Sequence, residues 1–94
     1  MAAMNANPFR SEDRDAALAA VVRAEIAHRS DVSVTSIAER LGIRRATLTA
    51  RTSGHVPFTY SQLHAVADVL GVLPVDLIRR AEEAMRHQGQ RLSA

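Results

Sequence analysis

Ninety-four residues, 47% of them hydrophobic and only 3% aromatic, suit one small domain with an aliphatic core rather than two folded units. The absence of cysteine excludes disulfides and thiolate metal sites, and no apolar run approaches the roughly 20 residues that span a bilayer. The formal net charge of +2 hides a segregation: Arg40, Arg44, Arg45 and Arg51 fall in a window, 40–67, that contains no Asp or Glu, while the rest of the chain is net acidic.

In chain order, Met1 to Arg10 is a polar lead with Asn and Pro; it lacks the apolar run of a secretory signal and is expected to stay mobile. Ser11 stands as an N-cap before Glu12, Asp13 and Asp15, acids that favour the positive end of a helix dipole. The first helix is predicted over about 12–29, burying Leu18, Val21, Val22 and Ile26. His28 to Val32 closes it. Ser33 caps a second helix, about 34–41, and Gly42 supplies a turn that returns Ile43 to the core. A third helix runs from about 45 to 53 and ends at Gly54.

His55-Val56-Pro57-Phe58 is a connector, because proline cannot continue a helix and biases its predecessor to extended backbone. Thr59 and Gln62 form a capping box for a fourth helix, about 60–70, with Leu63, Val66, Ala67 and Leu70 inward. Gly71 ends it. Pro74 opens a fifth helix, about 74–87, whose stripe is Leu77, Ile78, Ala81 and Met85. Phe58 and Tyr60 are assigned to core packing. The domain thus spans 11–88, between a flexible lead (1–10) and a tail (89–94) expected to fray.

Helices two and three form a helix-turn-helix: Ile37 and Leu41 share one face, the chain breaks at a glycine, and Ile43 and Leu48 rejoin the same core. The third helix directs basic, acid-free residues outward, which suits the major groove of DNA. Every basic side chain apart from histidine is arginine, whose planar fork matches guanine and phosphate.

The residues Ile37-Ala38-x-x-Leu41-Gly42-Ile43, the Thr47-Leu48 step, Gly54, and Ala67-x-x-Leu70-Gly71-Val72 followed by Asp76-Leu77 resemble, in that order, the Cro and phage-repressor type of helix-turn-helix domain, the XRE family. The resemblance runs from about Leu18 to Ile78. It implies an all-α fold, a compact five-helix lambda-repressor-like bundle. It also implies a sequence-specific double-stranded DNA-binding transcriptional regulator, a repressor of bacterial or bacteriophage type. Carried over by position, base contacts fall to Arg44, Arg45, Ala46, Thr49 and Ala50, with Arg45 the main specificity residue. Phosphate contacts fall to the start of helix two and to Arg23, Thr35, Ser36, Arg51, Ser53 and His55. The chain departs from the family pattern at Val34 (often Gln), Arg44 (commonly the capping Ser), Arg51 (usually apolar) and Thr52 (frequently Glu). Arg51 is expected to lay its stem over the core and leave its head at the DNA-facing edge.

The implied partners are double-stranded operator DNA and a second copy of the chain, in a dimer or in cooperative binding on DNA. No membrane, cofactor, metal or small-molecule ligand is indicated. His28, His55, His64 and His87 are not paired at metal-ligand spacing. Catalysis is disfavoured, since Glu39, Asp68 and Asp76 lie on separate helix faces and neither a Ser-His-Asp arrangement nor a Gly-rich phosphate loop is visible. Single-strand RNA reading is disfavoured because the only aromatics are Phe9, Phe58 and Tyr60. A cytoplasmic protein is expected, nucleoid-associated when bound to DNA. The competing reading is an antitoxin-like or co-regulator protein-interaction module that grips its partner through helix five; it predicts that Leu77→Glu or Met85→Glu breaks a complex.

Overall fold

Five aliphatic segments of helical period become five helices in the computed structural model, which describes residues 10–93: α1 (Ser11–Ala27), α2 (Val34–Leu41), α3 (Arg45–Thr52), α4 (Tyr60–Leu70) and α5 (Pro74–Ser93). There is no strand among the described residues, and the predicted lead before Arg10 lies outside them.

Local chemistry starts two of the helices as the sequence implies. Ser33 Oγ accepts the Ser36 amide at 3.1 Å while Ser36 Oγ accepts the Ser33 amide at 2.8 Å. Thr59 Oγ1 accepts the Gln62 amide at 3.1 Å and Gln62 Oε1 accepts the Thr59 amide at 3.2 Å. Each reciprocal pair satisfies two amides that a helix start would otherwise leave open. At α1 the expected cap moves by one residue. Arg10 occupies the N-cap, because the Asp13 carboxylate reaches back to its amide at 2.9 Å, and Ser11 becomes the first helical residue.

Two helices end in the same device. Gly42 at φ 69° and Gly71 at φ 71° sit in the left-handed region where a side chain is strained. Around each, the glycine amide bonds the carbonyl three residues back (Glu39 O, Asp68 O; both 3.2 Å), and the next amide bonds the carbonyl one residue before that (Ile43 to Ala38 O, 3.0 Å; Val72 to Ala67 O, 3.1 Å). The apolar residue after the glycine therefore folds onto the core. That is the physical content of the twice-used Ala-x-x-Leu-Gly-Ile/Val motif.

Val22 and Ile26 of α1, Ile37 and Ala38 of α2, Leu48 of α3, Leu63, Val66, Ala67 and Leu70 of α4, and Leu77 of α5 form one buried cluster. Leu18, Val21, Leu41, Ile43 and Phe58 pack against it half-buried. α1 lies along α5 and also touches α3, α2 packs on α3 and α4, and α4 rests on α5.

Three boundaries or faces differ from the sequence expectation. α1 stops at Ala27, two residues early. α5 continues to Ser93, past Gly89, which does not adopt positive φ there; an interior glycine costs a helix only about 1 kcal/mol and keeps its amide. Ile78 is 41% exposed: the buried residues of α5 are Leu77, Ala81 and Met85, and Ile78, about a hundred degrees round the helix from Leu77, falls at the uncovered edge of that row.

The α1–α5 seam is edged by charge. Arg14 Nη1 donates to Glu82 at 3.1 Å, and Glu25 accepts from Arg29 at 2.8 and 3.1 Å and from Arg80 at 3.0 Å. The Arg29 hydrogen bonds, then the one from Arg80, hold the Glu25 carboxyl below its ordinary value of 4.5. A carboxylate lowered in the folded state stabilises above its unfolded value, and that contribution is lost as pH falls through the folded one. Glu25→Gln is expected to cost about 1–2 kcal/mol at pH 7 and almost nothing in strong acid, measured by urea unfolding of both proteins across that range. A deficit independent of pH would remove the ion pairs as its cause.

Candidate nucleic-acid interface

α3 carries only two turns, and its inward residues are Leu48 and Thr52, both buried. Thr52 is satisfied locally, its Oγ1 donating to Thr49 O at 3.2 Å. The opposite side presents Arg45, Ala46, Thr49, Ala50 and Ser53, which with His55 line one open depression of about 490 Å³. Arg45, Ala46, Thr49, Ser53 and His55 are exposed and Ala50 is half-buried. Six of the residues expected at a DNA contact therefore share one surface.

Its far rim is ordered by a hydrogen bond between side chains. Ser53 Oγ lies 2.7 Å from His55 Nδ1 and 3.2 Å from Ala50 O. The hydroxyl has one proton. If it donates to Ala50 O, the Nδ1–H of His55 donates to Ser53 Oγ, and Nε2 becomes the acceptor. The serine–imidazole pair has no carboxylate partner among the described residues.

Arg44 sits at the N-cap of α3 and provides no side-chain cap, so the first amides of the helix stay open to an acceptor. Both Arg44 and Arg45 are exposed, as is Arg40 at the end of α2. Among the described residues none of these three side chains has a hydrogen-bond or ion-pair partner.

The remaining expected contact residues are placed differently. Arg23, on α1, donates from Nη1 to Thr52 O at 2.5 Å and thereby caps the end of α3. Arg51 is half-buried as expected of its stem, but its Nε donates to Gln62 Oε1 at 2.8 Å, so its head is drawn to the start of α4. Ser36 closes the α2 capping box, and its hydroxyl also donates to Ser33 O at 3.1 Å. Thr35 remains exposed beside it. None of these four lines the depression.

Two features escaped the sequence reading. Gln62 Oε1 accepts two bonds, from the Thr59 amide and from Arg51, and so joins α3 to α4; spacing revealed only the first. Tyr60, assigned to the core, is 75% exposed, with its ring 4.6 Å from that of His64 one turn along. Tyr60 stands at the first position of α4, one turn ahead of the buried row that begins at Leu63, and only the docked helix shows that this end of the row is left uncovered. Among the described residues no group of three metal-ligating side chains occurs, and no single helix is long and apolar enough to cross a membrane.

No protein-family model matches the chain, and no curated protein does. The fold is similar to that in the crystal structure of the clp gene regulator ClgR from Corynebacterium glutamicum, with a TM-score of 0.75 over 86% of this chain and 84% of that one, at 23% identity. The similarity is one of fold.

The Arg51–Gln62 bond is open to a double-mutant cycle. Arg51→Met and Gln62→Met are each expected to destabilise the domain, with a coupling energy of about 0.5–1.5 kcal/mol in urea unfolding. Strict additivity would mean the bond does not hold the two helices together.

Proposed function

We propose that this chain is a sequence-specific double-stranded DNA-binding transcriptional regulator, a repressor of the bacterial or bacteriophage XRE type, working in the cytoplasm. It lays α3 in the major groove of an operator and excludes polymerase by occupying it. One observation carries this reading: the division of the arginines. Arg14, Arg23, Arg29, Arg51, Arg79 and Arg80 are each engaged inside the fold. Among the described residues Arg40, Arg44, Arg45 and, far along α5, Arg86 are not; the first three crowd the α2–α3 turn beside a shallow, acid-free depression. Three unpaired cations gathered at one turn favour a polyanion. The fold shared with a gene regulator supports the same reading.

In this reading Arg45 pairs with guanine, Arg44 adds a base or phosphate contact, and Ala46, Thr49 and Ala50 lie against base edges. Arg40, Thr35 and the Ser53–His55 rim face the phosphates. Arg23, Arg51 and Ser36 hold the elements in place instead.

A module of this size gains specificity from two half-sites. Leu73, Val75 and Ile78 are 62%, 61% and 41% exposed, and Asp76 and Arg79 stand among them as a 2.6 Å ion pair. That face suits a second copy, since a two-fold axis lets Asp76 meet the partner's Arg79. The same face favours the second reading, an antitoxin-like or co-regulator module. Leu77 and Met85 do not test it, because both are buried in the chain's own core.

Selection of duplexes from a random pool is expected to enrich a motif of two inverted halves. Arg45→Ala should cost about 1–3 kcal/mol of discrimination at one position, and Arg40→Ala should lower the slope of log affinity against log salt by about 1 without changing the motif. Val75→Glu should leave the helical signal intact and abolish cooperative occupancy of the two halves. No enriched motif, with Val75→Glu breaking a complex with another protein, would favour the interaction module.

A further inference from the structure

We propose that Ala46, Thr49 and Ala50 read the C5-methyl group of a pyrimidine next to the guanine assigned to Arg45; this inference rests on the DNA-binding reading above. Between Arg45 at one end of the depression and Ser53 with His55 at the other, the surface consists of two alanines and one threonine. α3 contains no Asn, Gln, Asp or Glu. The two-bond contact to adenine and the carboxylate contact to the cytosine amino group are therefore unavailable along this strip, where Thr49 carries the one hydroxyl. The apolar feature that the major groove offers at base edges is the C5-methyl of thymine.

The geometry suits so small a target. Ala46 and Ala50 end at Cβ, so no long side chain separates the α3 backbone from the bases. Thr49 stands one turn from Arg45 and adds one methyl and one hydroxyl to the same row. Ser53, the next hydroxyl along, is already engaged with Ala50 O and the His55 ring. The strip cannot rotate aside, because Leu48 and Thr52 are locked in the core beneath it, with Arg23 capping the final turn. A cytosine methylated at C5 carries the same group at the same ring position, so the ligand is a methyl with two natural sources.

The test uses the full chain and the duplex it enriches from a random pool. Each thymine is replaced in turn by deoxyuridine, which removes the methyl alone; each cytosine is replaced in turn by 5-methylcytosine. One or two positions flanking the guanine read by Arg45 are expected to lose about fourfold in affinity as deoxyuridine, equivalent to about 0.8 kcal/mol for one buried methyl-sized group. Ala46→Gly or Ala50→Gly should bring that ratio towards one while the guanine preference stays. A parallel gain with 5-methylcytosine makes the methyl itself the feature read, and a response to thymine alone assigns it to thymine. Equal binding of thymine and deoxyuridine duplexes at every position overturns the inference, as does an unchanged ratio in both glycine variants shown by circular dichroism to be folded. Should the variants unfold, the deoxyuridine series decides alone. A chain that enriches no duplex overturns the DNA-binding reading itself, which is a distinct result.

Discussion

An eight-residue helix does not hold itself together in water, and everything offered by α3 depends on how the rest of the fold holds it. Leu48 supplies the anchor, buried in a cluster to which all five helices contribute. Around it stand directional ties: Arg23 from α1 on the last carbonyl of α3, Arg51 reaching to Gln62 on α4, and Thr52 satisfied within its own turn. The inner face is thus determined on three sides. The outer row is then presented by a nearly rigid body, which is how a short helix can carry precise contacts.

The pairing of the arginines matters more for the field it leaves than for stability. Exposed ion pairs contribute little, typically about 0–1 kcal/mol. Yet Glu25, Asp76 and Glu82 absorb Arg29, Arg80, Arg79 and Arg14 along the α1 and α5 side of the molecule. No acid stands in the window from Arg40 to Ala67, so the charge at the α2–α3 turn is left uncancelled. A net charge of +2 thereby becomes a polarised surface.

Three of the four departures from the pattern that the sequence resembles also find physical accounts. Where that pattern has an apolar anchor after Leu48, Arg51 uses its stem for packing and its Nε for a bond to Gln62, which keeps a half-buried guanidinium partnered. Where it often has an acid near the end of α3, Thr52 is buried, and Arg23 turns to the backbone carbonyl of that same residue. Arg44 in place of a capping serine leaves the start of α3 open. The first two changes serve the fold, and the third adds positive character to the candidate interface.

The chain's own sequence determined whatever depends on partners within about five residues. The Ser33–Ser36 and Thr59–Gln62 boxes, the paired glycine turns, and the shared outer face of Arg45, Ala46 and Thr49 all follow from helical geometry and short-range hydrogen bonding. Tertiary structure decided what depends on distant neighbours. Arg23 meets Thr52 across 29 residues and Arg80 meets Glu25 across 55, and no local pattern distinguishes these arginines from the free ones. The exposure of Tyr60 and Ile78 and the extra length of α5 belong to the same class. A side chain's period says only that it lies on a stripe; which edge of the stripe is covered, and which charge is already spoken for, is settled when the helices dock.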